Sequence, residues 1–235
     1  MPTARFPFVT VALIVANAIV YFFLQDALLG LPDDGLGGDW PTPTYGAIPC
    51  EFTGDGPCRT VPGGPSTILT LFTSMFMHGS ILHIGGNMLF LWIFGNNVED
   101  SMGPVKFILF YVLGGVAALA AQTLFSTGSE IPTIGASGAV AGVLGGYLLL
   151  FPRARVVTVV FIIFFFTILE LPALLFLVIW IAQQALFAYF DLAGSAEGGV
   201  AYFAHIGGFV FGLLLIRAFA SEKRRQRQLD KSGLR

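Results

Sequence analysis

The sequence predicts an all-α membrane protein, a bundle of six transmembrane helices, and three observations carry the prediction. Of 235 residues, 55% are apolar and only 11% charged, where a soluble domain carries about 25% charged residues. Mean hydropathy is +0.80, and six separate stretches approach the ~20 apolar residues that cross a bilayer. The 24 Phe and 29 Gly suit helices that face lipid and pack closely on one another. Such a composition excludes a disordered or fibrous chain and an ordinary soluble enzyme. With a net charge of −2, there is no general basic surface for nucleic acid.

The spans read off in order are Phe6–Leu24, Leu71–Phe94, Phe107–Phe125, Ile134–Phe151, Leu171–Phe190 and Val200–Ala220. The first is too long for a cleavable signal peptide and has no small-x-small site before Asp26. Residues 156–169 (VVTVVFIIFFFTIL) form an apolar run of only 14, a length that suits an interfacial or re-entrant piece better than a span. Charge decides the count. With six spans, Arg5, Lys106, Arg153, Arg155 and the seven basic residues from Arg217 to Arg235 share one side, leaving Arg59 alone opposite. A seventh span would destroy that asymmetry. The positive-inside rule therefore places both termini in the cytoplasm of a multi-pass protein of the cell (plasma) membrane. Residues 1–220 are expected to form the membrane domain, and residues 221–235 (SEKRRQRQLDKSGLR) a solvated basic cytoplasmic tail that anionic lipid headgroups attract.

The same topology puts the Gly- and Pro-rich loop 25–66 outside. It holds Asp26, Asp33, Asp34, Asp39, Glu51, Asp55 and the only two cysteines, Cys50 and Cys58, in CEFTGDGPC. In an oxidising space a pair closing so short a loop reads as a disulfide, with free thiols as the alternative. A structural zinc site would need more than two sulfurs, and the loop has no His.

Polar residues at membrane depth cost several kcal/mol unless satisfied and mark function. All three histidines of the chain, His78, His83 and His205, fall at or inside expected spans. His83 and Asn87 are one helical turn apart on one face, and both can donate hydrogen bonds. In TIGASGAVAGVLGGYLLLFP, Ser137 starts a helix whose Gly138, Ala141, Gly142 and Gly145 make a small-residue face. This is not the G-x-S-x-G elbow, because Ala139 stands at the second Gly position. In AHIGGFVFG, His205, Gly208 and Gly212 share one face of the sixth span. Two glycine-lined faces can pack backbone to backbone, which would set His205 against Ser137 at a common depth. A serine hydroxyl becomes nucleophilic when a neutral imidazole takes its proton. Neither neighbourhood offers an Asp to orient that imidazole, so a dyad is expected. His83, Asn87 and the Ser137 backbone N–H are the candidate donors to an oxyanion. Helix-bridging histidines and a serine that serves only as an N-cap are the plainer readings of the same motifs. Three His could instead bind zinc, but no carboxylate lies at ligand spacing, and no metal or other cofactor is expected.

Three motifs in order, TSMFMHGSILHIGGN, GASG and AHIGGFVFG, resemble the rhomboid family of intramembrane serine proteases over about residues 6–220. The resemblance implies that Ser137 is the nucleophile, His205 its general base, and His83 and Asn87 the oxyanion-hole side chains. Gly135 matches the glycine that begins the GASG turn, His78 the additional His at the top of the second span, and Glu99 an acidic position at that span's cytoplasmic end. It further implies cleavage of single-pass membrane proteins in or near their transmembrane segments, with lateral entry past the fifth span. Two departures stand out. Ala141 occupies the place where some members carry a Tyr against the catalytic His, so something else must hold the His205 ring. Leu69 and Thr70 stand where some members have a Trp-Arg pair. The alternatives from other classes are a catalytically silent rhomboid-like protein that binds or escorts membrane proteins, and a transporter. A transporter would be expected to show intramembrane carboxylates or inverted repeats, and Glu170 is the only acidic residue near membrane depth.

Overall fold

The computed structural model describes residues 3, 5–25, 45–56, 58, 64–162, 165–193 and 199–232. Asp26, Asp33, Asp34, Asp39 and Arg59 of the outer loop lie outside the described residues. The helices are α1 (Phe8–Leu24), the short α2 (Pro49–Thr53), α3 (Thr67–Phe76), α4 (Ile81–Met102), α5 (Pro104–Phe125), α6 (Ser137–Leu150), α7 (Ala173–Leu192), α8 (Tyr202–Phe219) and α9 (Glu222–Ser232). Three of them, α5, α7 and α8, are each long and apolar enough to cross a membrane. α3 and α4 pass that test only as a pair, bent by 82°, while α1 and α6 are shorter apolar helices.

The continuous second span expected over Leu71–Phe94 is therefore corrected: the chain breaks at residues 77–80 and restarts where Ser80 caps α4, its Oγ accepting the His83 N–H at 3.1 Å. The strictly all-α expectation is corrected too. Arg155–Ile162 (β1) and Phe165–Pro172 (β2) pair as an antiparallel hairpin, Arg155 opposite Pro172 and Ile162 opposite Phe165. β-branched and aromatic residues favour a pleated strand, and this run is made of them. Glu170 accordingly sits on β2, exposed and 3.5 Å from Arg155, rather than at the end of a span. The tail is not freely solvated. α9 docks through Gln228, 0% exposed, whose Nε2 donates to the Asn97 carbonyl and to Asp100 Oδ2.

α6 is the centre of the bundle. Twelve of its 14 residues are buried, and it packs most extensively against α8, α5 and the lower half of α4. A Cβ on Gly208 would land on the Gly138 carbonyl, and one on Gly212 on the Gly142 carbonyl. The two glycine faces expected from the sequence thus meet backbone to backbone. α5 joins them with Gly114 and Ala118: a Cβ at Gly142 would stand 3.5 Å from the Gly114 Cα, and one at Gly138 would collide with the Ala118 side chain. In lipid, where apolar surface gains nothing by leaving solvent, such close backbone packing is what drives association.

At the opposite end of the bundle from Ser137, α1 begins after Pro7 with no cap of its own. Glu99 supplies one from α4, accepting the Val9 N–H at 3.0 Å, the Thr10 N–H at 2.8 Å and the Thr10 hydroxyl at 2.8 Å. A buried carboxylate that satisfies first-turn donors complements the positive end of the helix.

Gly208→Ala is expected to overpack the α6–α8 contact and cost about 1–3 kcal/mol, seen as a lower thermal midpoint in detergent. Gly85→Ala, where the new Cβ meets nothing within 4 Å, is expected to leave the midpoint unchanged or raise it, since Ala favours a helix over Gly by about 0.5–1 kcal/mol.

Candidate active site

Ser137 is the first residue of α6, and His205 lies within the first turn of α8. Ser137 neighbours Gly138, and His205 precedes Gly208 by three residues, so the glycine contact brings their side chains to one place. The Ser137 Oγ lies 2.8 Å from His205 Nε2, a hydrogen bond between residues 68 apart in sequence. With the hydroxyl donating, Nε2 is the acceptor, and the ring proton belongs on Nδ1. That nitrogen is 2.7 Å from Gln184 Oε1 on α7. The Trp180 ring, one turn earlier on α7, lies against the imidazole with centroids 5.9 Å apart. Trp180 and Gln184 thus hold the ring that Ala141 leaves without a tyrosine. Sequence reading missed both. Nothing local singled Gln184 out: the same helix carries Gln183 and Asp191, and Gln184 differs from its neighbour Gln183 in being buried.

Gly135 turns the chain into α6 with φ +115°, a conformation that favours glycine. A Cβ there would stand 2.7 Å from His83 Nε2 and 3.6 Å from Ser137 Oγ, so His83 and Ser137 flank the same small space. The Gly79 N–H donates to His83 Nδ1 at 3.3 Å. His83 therefore keeps its proton on Nε2, on the Gly135 side, as a donor. Asn87, one turn below His83, is 7% exposed, and its Nδ2 is buried with no hydrogen-bond partner among the described residues. A buried unpaired donor costs about 1–3 kcal/mol. Ser137 N–H belongs to the helix start, where backbone donors lack intrahelical partners. His83 and the Ser137 backbone N–H thus stand beside the serine hydroxyl, with Asn87 one turn below His83 on the same helix.

His78 is fully buried and acts on the backbone. Its Nδ1 donates to the Phe76 carbonyl at 3.2 Å, and its Nε2 accepts the Ala136 N–H at 3.4 Å. Gln25 brackets it, donating from Nε2 to the His78 carbonyl and accepting the His78 N–H at Oε1. His78 thereby braces the turn one residue ahead of Ser137. Buried irregular backbone needs internal partners, and the loop before α6 finds them: Ala47 and Thr133 exchange both backbone hydrogen bonds, and the Gly135 N–H donates to the Ser74 carbonyl at 2.8 Å. The segment bearing Ala47 continues into α2, where Cys50 is buried and disulfide-bonded to Cys58. The Cys50 N–H donates to Ser129, so the cross-linked loop is hydrogen-bonded to the strand-like approach to Ser137.

A cavity of about 20 Å³ opens beside Ser137, lined among others by Ser74, Gly135, Gly138 and Ala204, which is room for about one water molecule. Among the described residues, no three His, Cys, Asp or Glu side chains gather to hold a metal ion. The arrangement has parts that acyl transfer can use: a serine hydroxyl hydrogen-bonded to an imidazole, a second imidazole across the small space at Gly135, and room for water.

Gly135→Ala is expected to push His83 away from Ser137. Displacements near 1 Å can cost about 10²-fold, so phosphonylation of Ser137 by a fluorophosphonate probe should slow on that order.

The Rhomboid domain family model matches residues 65–222. The chain is 32% identical over 173 residues to the mitochondrial Rhomboid protein 1 of Saccharomyces cerevisiae, covering 70% of this chain and 46% of that protein. It is 31% identical over 159 residues to the mitochondrial Presenilin-associated rhomboid-like protein A of Danio rerio, covering 66% and 38%. It is also 32% identical over 145 residues to RHOMBOID-like protein 4 of Arabidopsis thaliana, covering 62% and 32%. The chain spans less than half the length of each of these relatives.

Proposed function

From the premise that this chain belongs to the rhomboid family of membrane proteins, we propose that it is an intramembrane serine endopeptidase. The observation that carries the reading is the 2.8 Å hydrogen bond between Ser137 Oγ and His205 Nε2, formed where two apolar helices meet. In this reading His205 takes the Ser137 proton as Oγ attacks the scissile carbonyl. The carbonyl carbon becomes tetrahedral and its oxygen negative, and that charge is met by Asn87 Nδ2, His83 Nε2–H and the Ser137 N–H. His205 then returns the proton to the leaving amine. A water activated by the same imidazole hydrolyses the acyl-serine, and the cavity beside Ser137 offers it a place to wait. Asn87 Nδ2 is buried with no hydrogen-bond partner among the described residues, which supports the oxyanion assignment: a donor whose bond forms only with the oxyanion favours the transition state over the ground state.

The substrates are proposed to be single-pass transmembrane proteins, cut in or near their spans within the lipid bilayer. Six spans are proposed in residues 1–220, namely α1, the bent pair α3 and α4, α5, α6, α7 and α8, with residues 221–235 as a basic tail. The placement of both termini in the cytoplasm rests on the eleven basic residues that this topology gathers on one side, and it puts the disulfide-bonded loop outside. A plasma membrane is the proposed location. The yeast and Danio rerio relatives carry mitochondrial names, and fractionation of the native cell decides between the two.

In proteoliposomes holding a single-span test substrate, wild-type protein is expected to cleave and Ser137→Ala and His205→Ala to be inactive. Asn87→Ala should lower kcat by about 10²–10³-fold, the usual cost of one oxyanion donor. Cleavage that survives Ser137→Ala would refute the assignment, and a folded wild type that binds the substrate without cutting it would point to the silent, escorting member of the family.

A further inference from the structure

We propose that Gln184 is a positioning residue that fixes the tautomer and orientation of His205, making the site a Ser-His-Gln relay spread over three helices. The inference rests on the reading of Ser137 and His205 as nucleophile and base. The dyad works only if His205 Nε2 is unprotonated and faces the Ser137 hydroxyl. An isolated imidazole populates both neutral tautomers, and one of them puts a proton where the serine must donate. Gln184 Oε1, 2.7 Å from Nδ1, accepts from that nitrogen and favours the tautomer in which Nε2 is free. Gln184 is 7% exposed, so water does not compete for the same hydrogen bond. Trp180 against the ring face limits rotation, leaving the Gln184 hydrogen bond to set the direction.

The choice of an amide has a physical reason. Soluble serine hydrolases commonly orient the imidazole with a carboxylate, but a carboxylate at membrane depth is costly to bury. A glutamine supplies the acceptor oxygen with no charge to bury. It orients the base without matching a carboxylate's attraction for the imidazolium. The acceptor comes from α7, whose face toward the bundle is narrow: Ala173, Leu177, Gln184 and Ala188 are its buried residues. The base on α8 is therefore aligned by a helix that carries neither member of the dyad.

Two measurements test the proposal. In proteoliposomes, Gln184→Met, similar in length but without a strong acceptor, is expected to lower kcat about 10²-fold with KM changed less than about twofold. Gln184→Glu, which offers an oxygen acceptor in either protonation state, should recover most of that loss. The thermal midpoint of Gln184→Met should stay close to wild type, while Gln184→Glu should not lose kcat in proportion to any fall in its midpoint, since the carboxyl is buried but still accepts from Nδ1. Wild-type kcat in Gln184→Met, or equal losses of kcat and thermal midpoint in both variants, would overturn the proposal and leave Gln184 a packing residue. The second measurement does not depend on proteolysis. Nitrogen-15 spectra of histidine-labelled protein, with His205 assigned by its absence in His205→Ala, should show His205 protonated at Nδ1 in wild type and as a tautomer mixture in Gln184→Met. A wild-type His205 protonated at Nε2 overturns the proposal whether or not the protein cleaves. A wild type with the Nδ1 tautomer but no protease activity upholds the positioning and refutes the catalytic reading instead.

Discussion

The contact between α6 and α8, backbone against backbone, is the constraint on which the rest of the molecule depends. Gly208 and Gly212 admit the carbonyls of Gly138 and Gly142 to positions that any side chain would occupy. The hydrophobic effect does not hold two helices together inside lipid, so close packing has to. Once that separation is set, the Ser137–His205 pair follows. Ser137 stands one residue before the contact on α6 and His205 three before it on α8, and their side chains meet at hydrogen-bonding distance.

The surroundings of that contact show how the start of a short helix is supported from outside its own segment. α6 has 14 residues, and the backbone leading to it is not helical. Its polar groups are satisfied by a bridge to Ala47 and, from the end of α3 and the break after it, by the Ser74 carbonyl and His78. The loop after α1 is thus more than a connector: its disulfide-bonded segment is hydrogen-bonded to the approach to the serine. At the other end, Glu99 does for α1 what His78 does for the α6 turn, using a side chain of α4 to satisfy backbone that its own segment cannot.

The candidate residues were legible in the sequence wherever they fall at helical spacing. His83 with Asn87, and His205 with Gly208 and Gly212, announce their faces by the intervals between them, and His205 and His83 both lie beside Ser137. What depends on contacts between distant segments was not legible. Gln184 belongs to no local pattern, and its meaning appears only when α7 lies beside His205. The break at residues 77–80 hides inside an apolar stretch because Gly79 and Ser80 read as a helix start only once the chain is known to bend. The hairpin of Arg155–Ile162 and Phe165–Pro172 escaped because a short run apolar throughout has no period to separate strand from helix, although its β-branched composition favoured the strand.

Peptide mapping of the fluorophosphonate-treated protein by mass spectrometry tests the central claim most directly, that the glycine contact makes Ser137 nucleophilic by delivering it to His205. The account predicts one adduct, on Ser137, absent in His205→Ala and strongly reduced in Gly208→Ala protein that remains folded. An adduct on another residue of the wild type, or Ser137 modified at the wild-type rate without His205, would contradict it.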